Sequence, residues 1–172
     1  PEITNAGVSR GASNINSYRM TSYLGRLNYD YAGKYYVSGS FRRDGSSRLS
    51  RDSRWGNFWS VSGSWRLSQE AFMESLSNVI TDAKIRASYG VNGTQPKDYY
   101  GYMGVYEFGY NYNGNGGSSE ARFYNPSLKW EKNYATNIGI DLTLFNRLTV
   151  SAEWYNRETK DLLMDKPISA AV

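Results

Sequence analysis

The sequence predicts an all-β protein of antiparallel strands, each with one strictly apolar face. Three observations predict it: runs of two-residue alternation, a composition rich in aromatics, and connections that alternate between short and long. The chain has 172 residues and a net charge of +4, long enough for one domain with a sizeable core. Its 16 Tyr, 5 Trp and 6 Phe favour strands, and Tyr and Trp also favour boundaries that are dry on one side and wet on the other.

The first run lies near 20–31. Thr21, Tyr23, Gly25, Leu27, Tyr29 and Tyr31 alternate with Ser22, Leu24, Arg26, Asn28 and Asp30, the period of a half-buried strand. "AGK" at 32–34 is a turn signal. A second run near 34–42 sets Tyr35, Val37, Gly39 and Phe41 against Tyr36, Ser38, Ser40 and Arg42. A third near 57–68 sets Trp59, Val61, Gly63, Trp65 and Leu67 against serines and Arg66. The segment "QEAFMESLSNVITD" then predicts a short helix, with Ser68 as its cap and Phe72, Leu76, Val79 and Ile80 at helical spacing.

A fourth strand near 83–91 carries Ala83, Ile85, Ala87, Tyr89 and Val91 on one face. A fifth near 131–145 carries Tyr134, Thr136, Ile138, Ile140, Leu142 and Leu144, and a sixth near 147–157 carries Leu148, Val150, Ala152 and Trp154. None of these apolar-face positions is charged in a chain that is 21% charged. The remaining segments, 43–56, 92–129 and 158–172, read as loops. "GNGGSS" (114–119) lacks the Lys-Ser/Thr and the helix of a phosphate loop, and reads as a flexible loop tip.

The alternation fits either a soluble β-sandwich, including an aromatic-rich carbohydrate-binding one, or an up-and-down barrel in the outer membrane. Three features favour the barrel. Tight turns near Gly33 and Asn146 alternate with long loops at 43–54 and 92–129. Aromatics gather at both strand ends, with Tyr29, Tyr31, Tyr35, Trp65 and Phe145 near the short turns and Phe41, Trp55, Trp59, Tyr89 and Trp154 near the long loops. Such belts mark two membrane interfaces. The other face is rich in Ser, Asn, Arg and Asp, like a wet lumen. A complete eight-stranded barrel is a further alternative, with 98–124 supplying two strands.

The chain has no Cys and no His, which removes disulfides, thiolate chemistry and the commonest general base and metal ligand. Glu70 and Glu74 lie one helical turn apart, and Asp161 and Asp165 stand without identifiable partners. The expectation is a protein that is not an enzyme, with no cofactor and no metal site. No run of about 18 apolar residues predicts a transmembrane helix. The opening "PEITNAGVSRG" reads as the interior of a longer chain.

The segments "YLGRLNYDYAGKYYVSGSFRRDGSSRL" (23–49), "RWGNFWSVSGSWRLSQEAFM" (54–73), "KIRASYGVNGTQ" (84–95) and "NPSLKWEKNYATNIGIDLTLFNRLTVSAEWYNRETKDLL" (125–163) resemble the barrel of SusC/RagA-type TonB-dependent outer-membrane transporters of Bacteroidota. The resemblance implies an antiparallel transmembrane barrel of about 22 strands, of which about six are present, with one short periplasmic helix and without the plug domain. It also implies import of glycans or peptides, a SusD-like surface lipoprotein as lid, and energy supplied through TonB.

Three groups of residues are candidates for function. Tyr99, Tyr100, Tyr102, Tyr106, Tyr110 and Tyr112 cluster in the longest outer loop, where rings stack on sugars or peptides, meet a lid, or pack an extended hairpin. Arg26, Asn28 and Asp30 face the lumen, as contacts to the plug or as hydrated wall. Arg42, Arg43, Arg48, Arg51 and Arg54 form a basic outer loop around the turn chemistry of Asp44 to Ser47. A solvated loop self-paired through Asp44 and Asp52 is favoured over a site for lipid or lipopolysaccharide phosphates. Nucleic acid is not expected, because no helix or regular aromatic-basic platform accompanies the arginines.

Overall fold

The computed structural model describes residues 15–164. Six long strands form one antiparallel sheet: β1 (Met20–Tyr31), β2 (Tyr35–Ser46), β3 (Trp55–Arg66), β4 (Ile80–Thr94), β7 (Glu131–Leu144) and β8 (Leu148–Lys160). They lie in sequence order, β1-β2-β3-β4-β7-β8, and the sheet does not close. The other two strands, β5 (Val105–Tyr112) and β6 (Asn115–Arg122), pair only with each other. The excursion therefore adds no span to the sheet, and the eight-stranded reading fails. The 12 residues of β1 extend about 40 Å, or about 30 Å of height at a tilt near 40°, enough to cross a bilayer.

Register turns the alternation into two continuous faces. Tyr35 lies between Tyr31 and Trp65, and the row continues through Ile85 and Ile140 to Ala152. A one-residue slip of any strand would move its whole apolar set to the polar face. No second sheet packs on this face: Leu27 is 73% exposed and Trp154 57%. A sandwich would bury these residues, so that reading also fails. One departure from the pattern is Leu24, an apolar residue on the polar face and 78% exposed.

Three-residue connections, 32–34 and 145–147, join β1 to β2 and β7 to β8, each closed as a turn by the Lys34 N–H donating to the Tyr31 carbonyl and the Arg147 N–H to the Leu144 carbonyl, both at 3.0 Å. Ala32 and Gly33 have φ of 55° and 64°, and Phe145 and Asn146 have φ of 52° and 57°. Positive φ at both central positions is the hairpin turn whose twist matches the flanking strands. Asp30 Oδ1 fixes the first by accepting the Gly33 N–H at 3.0 Å. Phe145, expected at the end of a strand, lies in the turn.

The expected helix over the link is present only as short 3-10 helix, without its expected cap. The chain makes two 3-10 turns, Leu67–Gln69 and Ala71–Leu76, with no side-chain cap. The Ser68 hydroxyl donates to Asp82 Oδ1 at 2.6 Å instead, and β4 begins at Ile80. Phe72, Leu76 and Val79 stay exposed. Without a surface to bury that stripe, helical spacing has little to stabilise it.

The long-loop end also differs from expectation. β2 runs on to Ser46, so Asp44 and Gly45 are strand residues and the loop shrinks to 47–54. β4 extends to Thr94 and β8 to Lys160, and the rest of the expected last loop, 165–172, lies outside the described residues. Only Gly114 of "GNGGSS" lies at a tip, and the rest of the segment is strand. Asn113 and Gly114 (φ 50° and 83°) make the turn, and Asn115 opens β6.

Candidate functional site

The polar face is a network of short side chains held by the same register. Ser38 and Ser62 share a hydrogen bond of 2.7 Å, as do Ser40 and Ser60. Asn28 stands opposite Ser38 and Arg26 opposite Ser40. Towards the short-turn end, Arg86 on β4 donates to Asp141 on β7 at 3.1 Å and reaches Glu153 on β8 at 3.3 Å. It reaches two strands across because Gly139 lies between: a Cβ there would sit 2.9 Å from the guanidinium carbon. Arg66 pairs with Asp82 at 2.9 Å. These pairs are largely solvated, so they shape the wall more than they stabilise it.

The apolar face carries aromatics at both ends. Tyr35 packs on Trp65 (6.1 Å between centroids) and on Tyr31 (6.4 Å) at the short-turn end. Trp59 meets Tyr89 edge-on at 5.5 Å, and Tyr23 stacks on Trp55 at 6.1 Å, towards the long loops. Glu70, between the two 3-10 turns, accepts the Tyr35 hydroxyl at 2.7 Å and the Trp65 indole N–H at 3.1 Å, and pairs with Lys34 at 3.3 Å. These bonds, the Tyr35 hydroxyl first, hold its carboxyl below the usual glutamate range.

The arginine loop is self-paired through Asp44, as expected, but only part of it is solvated. It closes over a small core in which Leu49, Phe58 and Trp130 are buried with Val91. Phe58 lies edge-on to Trp130 at 5.4 Å and covers Gly56 and Gly93, where any Cβ would collide with its ring. Each arginine has its own placement. Arg42 Nε is 2.7 Å from the fully buried Asp44, a close ion pair that is out of line for a hydrogen bond. The Arg43 guanidinium lies 5.2 Å from the Trp55 ring, on the apolar side. Arg48 sits between Tyr18 and Tyr99, 4.1 and 4.6 Å from their centroids, and donates to the Pro96 carbonyl at 3.1 Å. The Arg54 carbonyl accepts the Trp130 indole N–H at 2.9 Å. Arg51 and Asp52 are exposed and take part in no ion pair among the described residues.

The same loop straps down both ends of the long excursion. Ser46 donates to Gln95 at the entry and Ser50 to the Pro126 carbonyl at the exit, each at 2.9 Å. The tyrosine cluster is thereby divided. Tyr99, Tyr100 and Tyr102 belong to the folded base: Tyr99 touches Tyr18 edge-on, the Tyr100 carbonyl accepts from Arg122 at 3.4 Å, and the Tyr102 carbonyl accepts the Asn125 N–H at 3.0 Å. Tyr106, Tyr110 and Tyr112 lie on β5. Tyr106 and Tyr110 are exposed with Phe108 between them, on an arm that stands clear of the sheet.

Alternation alone did not reveal three groups: the Glu70 cradle, the Arg86 pairs and the Leu49–Trp130 core. The Glu70 cradle forms where the link folds back on the β2–β3 pair, and the other two groups bring together residues far apart in sequence that meet only once β4 and β7 pair across the excursion.

A single-layered antiparallel sheet with one face apolar along its central span and one wet face, belted by aromatics at both ends, is the wall of a transmembrane β-barrel. In agreement, residues 2–171 match the family described as "TonB dependent receptor-like, beta-barrel", and the chain belongs to that family. It is similar to TonB-dependent receptor P39 of Formosa agariphila (39% identity over 88% of this chain and 15% of that protein). It is also similar to TonB-dependent receptor SusC of Bacteroides thetaiotaomicron (37% identity over 84% of this chain and 15% of that protein). Among solved structures, the RagAB peptide transporter superposes with a TM-score of 0.78 at 30% identity, over 88% of this chain and 17% of that one. The open-open state of the RagAB peptide importer gives 0.81 at 27% identity, over 98% and 19%. The chain thus spans about one-sixth of the length of the proteins it matches. It is a segment of a SusC/RagA-type barrel and its place is the bacterial outer membrane. In a transmembrane barrel the apolar face meets lipid and the wet face meets the lumen.

Proposed function

We propose that this segment is part of the wall of an active importer of large nutrients, glycans or peptides, lidded by a SusD-like surface lipoprotein and energised through TonB. The observation that carries the reading is the exposed aromatic arm, β5–β6, rising above a two-faced barrel wall at its outer end. In this reading Tyr106, Tyr110 and Tyr112 contact the cargo or the lid, Tyr99, Tyr100 and Tyr102 set the base of the arm, and Arg26, Asn28 and Asp30 line the lumen near the plug. Arg43, with Arg51 nearby in sequence, meets phosphates of outer-leaflet lipid or lipopolysaccharide. The other three arginines hold the outer cap together. The segment performs no catalysis, needs no cofactor and binds no nucleic acid.

The test uses the full-length protein in its own outer membrane. Tyr106→Ala with Tyr110→Ala is expected to lower uptake of the cargo, or co-purification of the lipoprotein, while the barrel stays folded. Uptake is expected to stop when TonB is depleted. Uptake and lipoprotein recovery that both survive the double substitution, or uptake that continues without TonB, would refute the reading.

A further inference from the structure

The middle of the lumen face, on its long-loop side, differs from the rest of the wall. A concavity of about 490 Å³ opens there across β1 to β4. Small residues make the room. Ser40 and Ser60 face each other across β2 and β3, and Gly90 lies opposite Ser60, where a Cβ would sit 2.8 Å from the serine Cβ. Arg26 and Arg42 line this concavity, and no carboxylate does.

The two arginines are held differently. Arg42 is tethered by Asp44 at 2.7 Å, and half of its side chain remains exposed. Its guanidinium lies 6.0 Å from the Phe58 ring. Arg26 is exposed and has no hydrogen-bond or ion-pair partner among the described residues. Deeper in the wall the pattern is reversed, since Arg66 and Arg86 each have carboxylate partners. The Ser40–Ser60 bond uses one of the two hydroxyl hydrogens, which leaves one to donate. An unpaired guanidinium beside a second cation and a hydroxyl donor is matched to an oxyanion, and a guanidinium grips a carboxylate with two parallel N–H bonds.

We propose that this concavity is a subsite for carboxylate-bearing cargo, with Arg26 as its main contact and Arg42 and the serine pair in support. It rests on the transport reading and adds a cargo class to it. The concavity lies about halfway along the strands of the lumen face, on the path of cargo, and its uncompensated positive charge selects acidic groups over neutral ones.

The experiment measures binding to the purified full-length protein with two matched pairs of probes. One pair is hexagalacturonate and its methyl ester; the other is hexaglutamate and hexaglutamine. The acidic member of at least one pair is expected to bind about tenfold tighter than its neutral form, and the pair that responds separates a glycan source from a peptide source. Arg26→Gln is expected to abolish that preference and Arg26→Lys to restore part of it, with thermal unfolding unchanged. Equal binding within both pairs, or a preference that survives Arg26→Gln, would overturn the proposal. A fall in ligand-free stability with the preference intact would also overturn it, by assigning Arg26 to a carboxylate elsewhere in the protein. The transport reading fails separately, through uptake that persists without TonB, an outcome that leaves the binding ratios untouched.

Discussion

The indole of Trp55 lies flat on Gly45, its cross-strand partner, so closely that a Cβ on the glycine would sit 2.9 Å from the ring. Tyr23 stacks on the other flank of that indole and the Arg43 guanidinium is 5.2 Å away. The glycine of "DGSS" therefore makes room for an interfacial tryptophan and is not a turn residue. Gly45→Ala is expected to cost about 1–3 kcal/mol, the usual range for overpacking. The full-length barrel should show it as a lower temperature of heat modification, with a larger drop for Gly45→Val.

Phe58 is 3% exposed and joins the wall to the outer cap. Phe58→Ala should destabilise by about 3–5 kcal/mol through the cavity it leaves. The cap should loosen before the wall does, and proteolysis within 47–54 is the measurement that separates the two.

Arg48 holds the base of the excursion by stacking between two tyrosines and by one bond to Pro96. Arg48→Met retains most of its bulk but removes the charge. Losses of about 1–3 kcal/mol are expected. They should appear as faster hydrogen exchange over 95–104, with exchange in β2 and β3 unchanged.

Glu70 gives the segment a dependence on acid. Its carboxyl titrates below the ordinary glutamate value because Tyr35, Trp65 and Lys34 favour the charged form. Its stabilisation is therefore complete above the unfolded-state value and is lost as pH falls through the lower, folded-state value. The melting difference between wild type and Glu70→Gln should be largest near neutrality and should vanish in acid. A difference that is constant with pH would contradict this.

Parity sets the sign of a charge substitution on the wall. Val61 faces lipid, and Val61→Arg is expected to cost about 2–4 kcal/mol if it lies near the bilayer midplane. Its neighbour Ser62 faces the lumen, and Ser62→Arg should leave assembly of the barrel intact. Yields of folded, heat-modifiable protein from the two variants provide the comparison.

The faces of the six long strands were legible in the sequence, because the two-residue period follows from the pleat and needs no knowledge of partners. Tyr29, Val37 and Val61 could be placed without any structure. The link was misread because Phe72, Leu76 and Val79 keep helical spacing while having nothing to cover. The hairpin in the excursion did leave a signal: Asn113–Gly114 after alternating Tyr110 and Tyr112 is a strong hairpin-turn pattern. Its glycines read as loop because β6 has almost no apolar residues. The cap was the least legible part. Leu49 and Trp130 are isolated apolar residues in segments without period, and only the pairing of β4 with β7 brings them together. Of the candidate site residues, the sequence could assign faces to Arg26, Asn28 and Asp30, but it could not show which arginines were already engaged.

The straps at Gln95 and Pro126 make the excursion an exchangeable cassette. β5 and β6 form no ladder with the wall, and the bonds that anchor their base begin and end at these two points. Replacing 97–125 as one piece alters what the outer surface displays while leaving the register of β4 with β7 in place. Diversification can therefore proceed in this stretch at little risk to barrel assembly, and the same two points are where foreign peptides can be grafted for surface display.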